Sequence, residues 1–127
     1  MSATAPAKTF RKKLEKNAYY VDVLNTPWEP TKLPGSERKV LFQDPVTGAT
    51  TVLFRMAPGG VVPFHEHPEI EQTYVLEGSL EDDEGSCTAG NFVWRPGGSR
   101  HEAHCPNGAL FIAFFQKPSR PITSEEE

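Results

Sequence analysis

The stretch from Gly59 to Gly78, GGVVPFHEHPEIEQTYVLEG, limits what this chain can fold into more than any other. His65 and His67 stand two residues apart. In a β-strand alternate side chains share a face, so both imidazoles point at one spot. Pro68 cannot donate to a β-ladder and marks the end of a central strand. Glu71 then opens a new run that continues through Thr73, Tyr74, Val75 and Leu76. If the chain turns back between Pro68 and Ile70, Glu71 returns antiparallel beside the histidines. Two imidazoles and a carboxylate then face one point, which is the makings of a metal site. A second stretch, Gly90 to His101 (GNFVWRPGGSRH), offers a third imidazole.

The rest of the chain has the same short-strand rhythm. Tyr19–Leu24 reads as a first strand. Residues 26–35, with three prolines and a glycine, read as irregular chain, with Trp28 as a hydrophobic plug. Lys39–Gln43 and Thr50–Arg55 are β-prone runs joined by the turn residues Asp44 to Gly48. Val61–His67 and Glu71–Glu77 form the central pair. Asn91–Arg95 is closed by Pro96-Gly97-Gly98, and Arg100–Cys105 and Ala109–Phe115 flank the hairpin signal Asn107-Gly108. No segment of the body has a helical period. Short strands with regular turn punctuation indicate an all-β sandwich or barrel.

Length and composition narrow the class further. A chain of 127 residues suits one domain with a real core. The expected organisation is a polar N-terminal arm over 1–18, one domain over 19–117 and an acidic C-terminal tail over 118–127. The arm carries Lys8, Arg11, Lys12, Lys13 and Lys16 and reads as solvated chain. A net charge of −4 argues against a nucleic-acid partner. No apolar run approaches the ~18 residues that span a bilayer, and the N-terminus lacks the apolar core of a secretory signal. Cys87 and Cys105 make neither a CxxC pair nor a disulfide framework. The expected setting is therefore cytoplasmic, with free thiols. Several strands, among them Ala109–Phe115, are apolar on both faces, so their outer faces need cover; this leads us to expect a homodimer.

With these residues in view, a family resemblance emerges. The spacing Gly59-x5-His65-x-His67-x3-Glu71-x6-Gly78 resembles the first cupin motif at every position. Gly90-x5-Pro96-x-Gly98-x2-His101 resembles the second up to its last residue, where the family usually has Asn and this chain has Cys105. The resemblance covers about residues 38–116. The wider frame is similar to the cupin domain of the ChrR zinc-binding anti-sigma factors and to the related acetylacetone and dihydroxyacetophenone dioxygenases. It implies a double-stranded β-helix, a cupin jelly-roll barrel, with one divalent metal ion inside. It also implies His65, His67, Glu71 and His101 as ligands. The implied ion is Fe2+ or Zn2+, with Ni2+ or Mn2+ as alternatives.

Residue chemistry stands beside that implication. Imidazole with carboxylate suits these metals, and two His with one carboxylate leave open positions. Glu69 and Gln72 compete with Glu71 for the carboxylate place, but Glu69 lies in the expected turn and Gln72 has the opposite strand parity. His104 has opposite parity to His101 and should face away. Cys105 shares His101's parity and reads as a small buried hydrophobe. Gln116 and Arg55 are weak candidates for orienting a substrate. Phe64, Phe92, Trp94 and the aromatic residues between Phe111 and Phe115 are expected in the core. Three neutral imidazoles, one carboxylate and a divalent ion sum to about +1, which favours an anionic ligand atom such as an enolate, phenolate or carboxylate. Loss of metal is expected as pH falls through roughly 6.5.

Three functions fit these features. The first is a metal-dependent dioxygenase acting on a small dicarbonyl or hydroxyketone. The second is a non-catalytic module that senses a small molecule or oxidant through the metal or Cys105. The third is a redox-neutral metal isomerase or lyase. The anti-sigma proteins carry a helical zinc-binding domain before the cupin. Here only the polar arm precedes it, so an anti-sigma factor is not the expectation.

Overall fold

The structure is a computed structural model that describes residues 18–123. The basic cluster of the expected arm and the last four residues of the expected tail lie outside that range. Among the described residues there is no helix, and so none long and apolar enough to cross a membrane. Ten strands make up the fold: β1 (Glu29–Pro30), β2 (Ser36–Gln43), β3 (Thr50–Met56), β4 (Gly60–His67), β5 (Glu71–Asp82), β6 (Gly85–Thr88), β7 (Phe92–Arg95), β8 (Ser99–Cys105), β9 (Ala109–Phe115) and β10 (Arg120–Pro121). All pairings are antiparallel.

The sheet curls because β5 belongs to two walls. Its first part, from Glu71 to Gly78, lies between β9 and β7. Its last part, from Ser79 to Asp82, pairs with β6 and meets β8 at Glu81 and His104. One wall thus runs β1-β2-β3-β9-β5-β7, the other β10-β4-β8-β5-β6. This is the all-β cupin jelly roll that the motifs imply.

Local chemistry explains the punctuation. Asp44 opens the β2–β3 hairpin by accepting the Val46 amide at 2.9 Å, and its carbonyl accepts the Gly48 amide at 2.8 Å. Gly78 pairs with Ala109 just after the register shift of β5 between Val75 and Glu77, against the β8–β9 turn. A Cβ there would lie 2.0 Å from the Gly108 carbonyl oxygen, so no other residue fits.

Three expectations change. Tyr19–Leu24 is not a strand: Tyr19, Tyr20 and Leu24 are exposed, and Asp22 starts a turn by capturing Asn25 and Thr26. A β-prone run with no strand beside it has no ladder to join. Two residues of the stretch expected as an acidic tail, Arg120 and Pro121, pair with Glu66 and His65 of β4, and Ile122 is buried. Phe92, Trp94 and Phe114, expected in the core, lie exposed on the outside.

The core gathers Met56, Val75, Leu80, Cys87, Cys105, Ala109, Phe111 and Ala113, with Phe54, Val62, Val93 and Phe115 packed against it. Full burial of each large apolar side chain contributes about 1.5–3 kcal/mol. Cys87 and Cys105 are both free and buried. Burial pushes the Cys105 thiol up to about 11, so it stays a protonated hydrophobe at neutral pH. Trp28, expected as a hydrophobic plug, is half-buried and outside the core cluster; the Lys39 ammonium and the Arg55 guanidinium lie 4.7 and 4.1 Å from its ring centre. The Lys39 ammonium is itself buried and donates to the Val23 carbonyl, which ties the segment before β1 to β2.

Candidate metal centre

Strict alternation along β4 would place Val61, Pro63, His65 and His67 on one face. The structure breaks that alternation with a bulge between Val62 and His65. Val61 and Pro63 point out, whereas His65 and His67 are buried inside. Pro63, which has no amide hydrogen to lose, suits the irregular step. The far end of β4 is pinned by the glycine turn before β8, where the Gly98 amide donates to the His67 carbonyl at 2.7 Å. Gly98 has φ +89°, which favours glycine.

From β8, His101 arrives directly opposite His65 in the pairing register. The three ring nitrogens converge: His65 Nε2 is 3.1 Å from His67 Nε2, and His67 Nε2 is 3.3 Å from His101 Nε2. The ligand atoms of these three histidines all lie within 4.8 Å of one another. From β5, Glu71 Oε1 comes to 3.3 Å from His67 Nε2 but does not join that mutual cluster. Parity decided the competitors as alternation requires. Gln72, Glu69 and His104 are exposed, and Cys105 is buried beneath the same strand as His101. Gln116 is exposed and Arg55 is engaged with Trp28 and Glu37; neither lines the cavity.

The tautomers follow from the partners. His65 Nδ1 lies 2.7 Å from the Pro63 carbonyl, which can only accept, so this nitrogen carries the hydrogen. His101 Nδ1 donates to Asp82 Oδ2 at 2.9 Å. The Nε2 atoms of both rings are therefore bare lone pairs aimed at His67. Two donors each about 2.1 Å from one ion stand roughly 3.0 Å apart at a right angle and roughly 3.4 Å apart at the tetrahedral angle. The observed separations fall in that range, so the donor set fits a divalent cation. His67 Nδ1 is buried and has no hydrogen-bond partner. This ring is thus oriented by packing, which includes stacking with Phe115 at 6.3 Å.

Two groups that strand patterning passed over complete the site. Asp82, at the last residue of β5, orients His101 in the way a carboxylate orients a ligating imidazole. Arg95, at the end of β7, places Nη1 2.9 Å from Asp82 Oδ2 and Nε 3.8 Å from Glu71 Oε1, with its side chain 12% exposed. The signal was present: Arg95 is the Cα partner of Glu71 and has the parity opposite to Phe92 and Trp94.

Burial dominates the electrostatics. Desolvation, then repulsion from His65, His101 and Arg95, lowers His67 to about 3. Desolvation and Arg95 lower His101 to about 4 against the pull of Asp82, and desolvation lowers His65. Burial raises Glu71 to about 7, with Arg95 opposing. For Asp82 burial pushes up, but the hydrogen bonds from His101 and from the Glu84 and Gly85 amides, with the Arg95 charge, outweigh it and hold the carboxyl below its usual range. His67 and His101 thus stay neutral, and able to ligate, well below the pH of 6.5 expected from free histidine, and His65 shifts in the same direction. A cavity of about 210 Å³ opens onto this cluster, with Phe54, Met56, Val62, Leu80, Phe111 and Phe115 as apolar wall.

Comparison with known proteins places the chain in a family and a fold. Residues 16–120 match the family described as the ChrR cupin-like domain. No curated protein matches the chain by sequence. Among solved structures, a candidate acetylacetone dioxygenase from Methylibium petroleiphilum superposes with a TM-score of 0.80 at 19% identity, covering 87% of this chain and 85% of its own. The acetylacetone dioxygenase of Acinetobacter johnsonii gives 0.75 at 18% identity, covering 100% and 88%. The Rhodobacter sphaeroides anti-sigma protein ChrR, solved with SigE, gives 0.61 at 23% identity, covering 69% of this chain and 47% of its own. Likeness at these identities establishes the fold.

Proposed function

The chain belongs to the ChrR cupin-like domain family, and from that premise we propose that it is a metal-dependent dioxygenase that cleaves a carbon–carbon bond in a small dicarbonyl or hydroxyketone. The observation that carries this reading is the convergence of three imidazole Nε2 atoms on one buried point beside an apolar cavity. His65, His67 and His101 would hold one divalent ion, with Glu71 as the fourth donor. Bound Fe2+ would supply reactivity toward O2, whereas bound Zn2+ would supply only polarisation. Cleavage by O2 leaves one oxygen atom on each fragment and consumes no outside reductant.

The chain's own residues argue for the substrate class. Arg95 and Asp82 cancel each other's charge, so the loaded site keeps a net charge of about +1 and favours an enolate or similar anion. The cavity is smaller than the ~300 Å³ at which drug-sized pockets begin, which suits a compact ligand. Its aromatic and aliphatic wall excludes water from the ligand's apolar part. The acetylacetone dioxygenases with the same fold support this reading. The family match and the likeness to ChrR favour one second reading, a non-catalytic sensing module.

Metal analysis of freshly purified protein, combined with O2 uptake on a panel of β-diketones and hydroxyketones, decides between them. Iron with substrate-dependent O2 consumption supports the enzyme. Zinc without turnover on any member of the panel supports the sensor.

The same reading includes a homodimer. The outer face of β5, β7 and β9 exposes Trp94 by 58%, Phe92 by 52%, Phe114 by 43% and both Tyr74 and Leu76 by 40%. At about 200 Å² per large side chain, this is roughly 450 Å² of apolar surface. That is close to the apolar share of the ~800 Å² that each partner buries in a stable dimer. None of these five side chains is charged, so the face is complementary to itself.

A further inference from the structure

We propose that Arg95 is a positioning residue that makes Glu71 a detachable fourth donor while the three histidines stay fixed. The inference rests on the reading that the cluster holds a metal. Its starting point is the curl of β5. Glu71 is the first residue of this 12-residue strand and Asp82 the last, yet both carboxylates meet the Arg95 guanidinium. A fully extended strand of that length would hold its ends roughly 40 Å apart. Arg95 therefore staples the two walls together at the site.

The two carboxylates are held unequally. Asp82 accepts a charge-assisted hydrogen bond from Arg95 at 2.9 Å, one from His101 and two from backbone amides. It is fixed, and it fixes His101. Glu71 lies 3.8 Å from Arg95 Nε, a charge contact longer than a hydrogen bond. On its other side Oε1 is 3.3 Å from His67 Nε2, outside the group of donors that all reach one another within 4.8 Å. Donors sharing one ion at about 2.1 Å cannot stand farther apart than about 4.2 Å. Full ligation therefore requires Glu71 to shift toward the other histidine nitrogens from the position in which it contacts Arg95. An anionic ligand that displaces it sends the carboxylate back to a waiting cation, so no buried charge is left unpaired.

A two-by-two comparison tests this, with Zn2+ affinity from chelator competition and the visible spectrum of bound Co2+, which reports coordination number. In the otherwise unaltered protein, Glu71→Gln should weaken Zn2+ binding by less than about 3-fold, because Arg95 already competes for the carboxylate. In an Arg95→Met background the same change should cost about 10-fold or more, within the range of effects that outer groups have on metal sites. Arg95→Met alone should shift the Co2+ spectrum toward higher coordination, and adding Glu71→Gln should reverse the shift. Arg95→Lys keeps the charge without the fork and should fall between, and it carries the comparison if Arg95→Met does not fold. Equal effects of Glu71→Gln in both backgrounds overturn the proposal while leaving the metal centre intact. Failure of the unaltered protein to take up either ion overturns both.

Discussion

On the β4–β8 wall, the residues that face inward are His65, His67, His101, Ala103 and Cys105, and those that face out include Arg100, Glu102 and His104. On the β5–β7 wall, Glu71, Thr73 and Arg95 face inward while Tyr74, Phe92 and Trp94 face out. The first wall is polar on both sides around its site. Around the site the second is inverted, with Glu71, Thr73 and Arg95 inside beside the core residues Val75 and Val93, and aromatic rings exposed. Alternation names the residues that share a face in both walls. Polarity names the inside in neither, because a chemical site occupies the interior and an unpartnered apolar surface the exterior.

The sharpest attack on this contrast is to remove one inward and one outward histidine from the same strand. His101→Ala should lower Zn2+ affinity by at least ~100-fold, whereas His104→Ala should change it less than 2-fold, in chelator competition. Comparable losses from both would mean that parity does not define the site. The two walls should also titrate in opposite senses. The folded-state pKa values of His67 and His101 are depressed, so the stability they contribute is full above the unfolded value near 6.5 and drains away as pH falls toward 4 and 3. The value for Glu71 is raised to about 7, so its contribution grows as pH falls from there toward 4.5. Histidines outnumber it, and metal-free protein should lose a net of about 2 kcal/mol between pH 6.5 and 4.5, at about 1.4 kcal/mol per proton per unit. Denaturant melts at several pH values measure this, and a flat or rising profile would mean that the carboxylate side dominates.

On the outer face of the inverted wall, Trp94→Ser should raise the dimer dissociation constant by roughly 30-fold, the scale of an interface hot spot of about 2 kcal/mol. Sedimentation reads this directly. A wild-type protein that is monomeric at high concentration would leave the exposed aromatic face without its proposed cover. The smallest effect belongs to the hydrogen bond that joins the walls. Asp82→Asn keeps the shape and removes the charge facing His101 and Arg95, and should cost about 10-fold in metal affinity with little change in fold. No change would mean that packing alone orients His101.

The parts of the site legible in the sequence were those governed by the two-residue period. Glu71 over Gln72, and His101 over His104, followed from parity, and β9 has the bounds its residues suggest. What escaped depends on contacts between distant segments. The bulge that turns His65 and His67 inward is a register shift against β8, invisible along β4 alone. Strand β10 is two residues that become a strand only by lying beside β4. Asp82 reaches Arg95 and His101 because β5 curls, a property of the whole sheet. Tyr19–Leu24 has the residue types of a strand but no neighbour to pair with.

That short last strand has a further bearing. Arg120 also grips Glu66 through a 2.7 Å ion pair, and the Ile122 amide reaches the Phe64 carbonyl. A pull on the backbone just past Thr123 would therefore reach β4 directly, at Phe64 through the Ile122 amide and next at His65 through its pairing with Pro121. Anyone tethering this protein to a surface or a fluorophore through that end would be leaning on the backbone of the strand that carries His65 and His67.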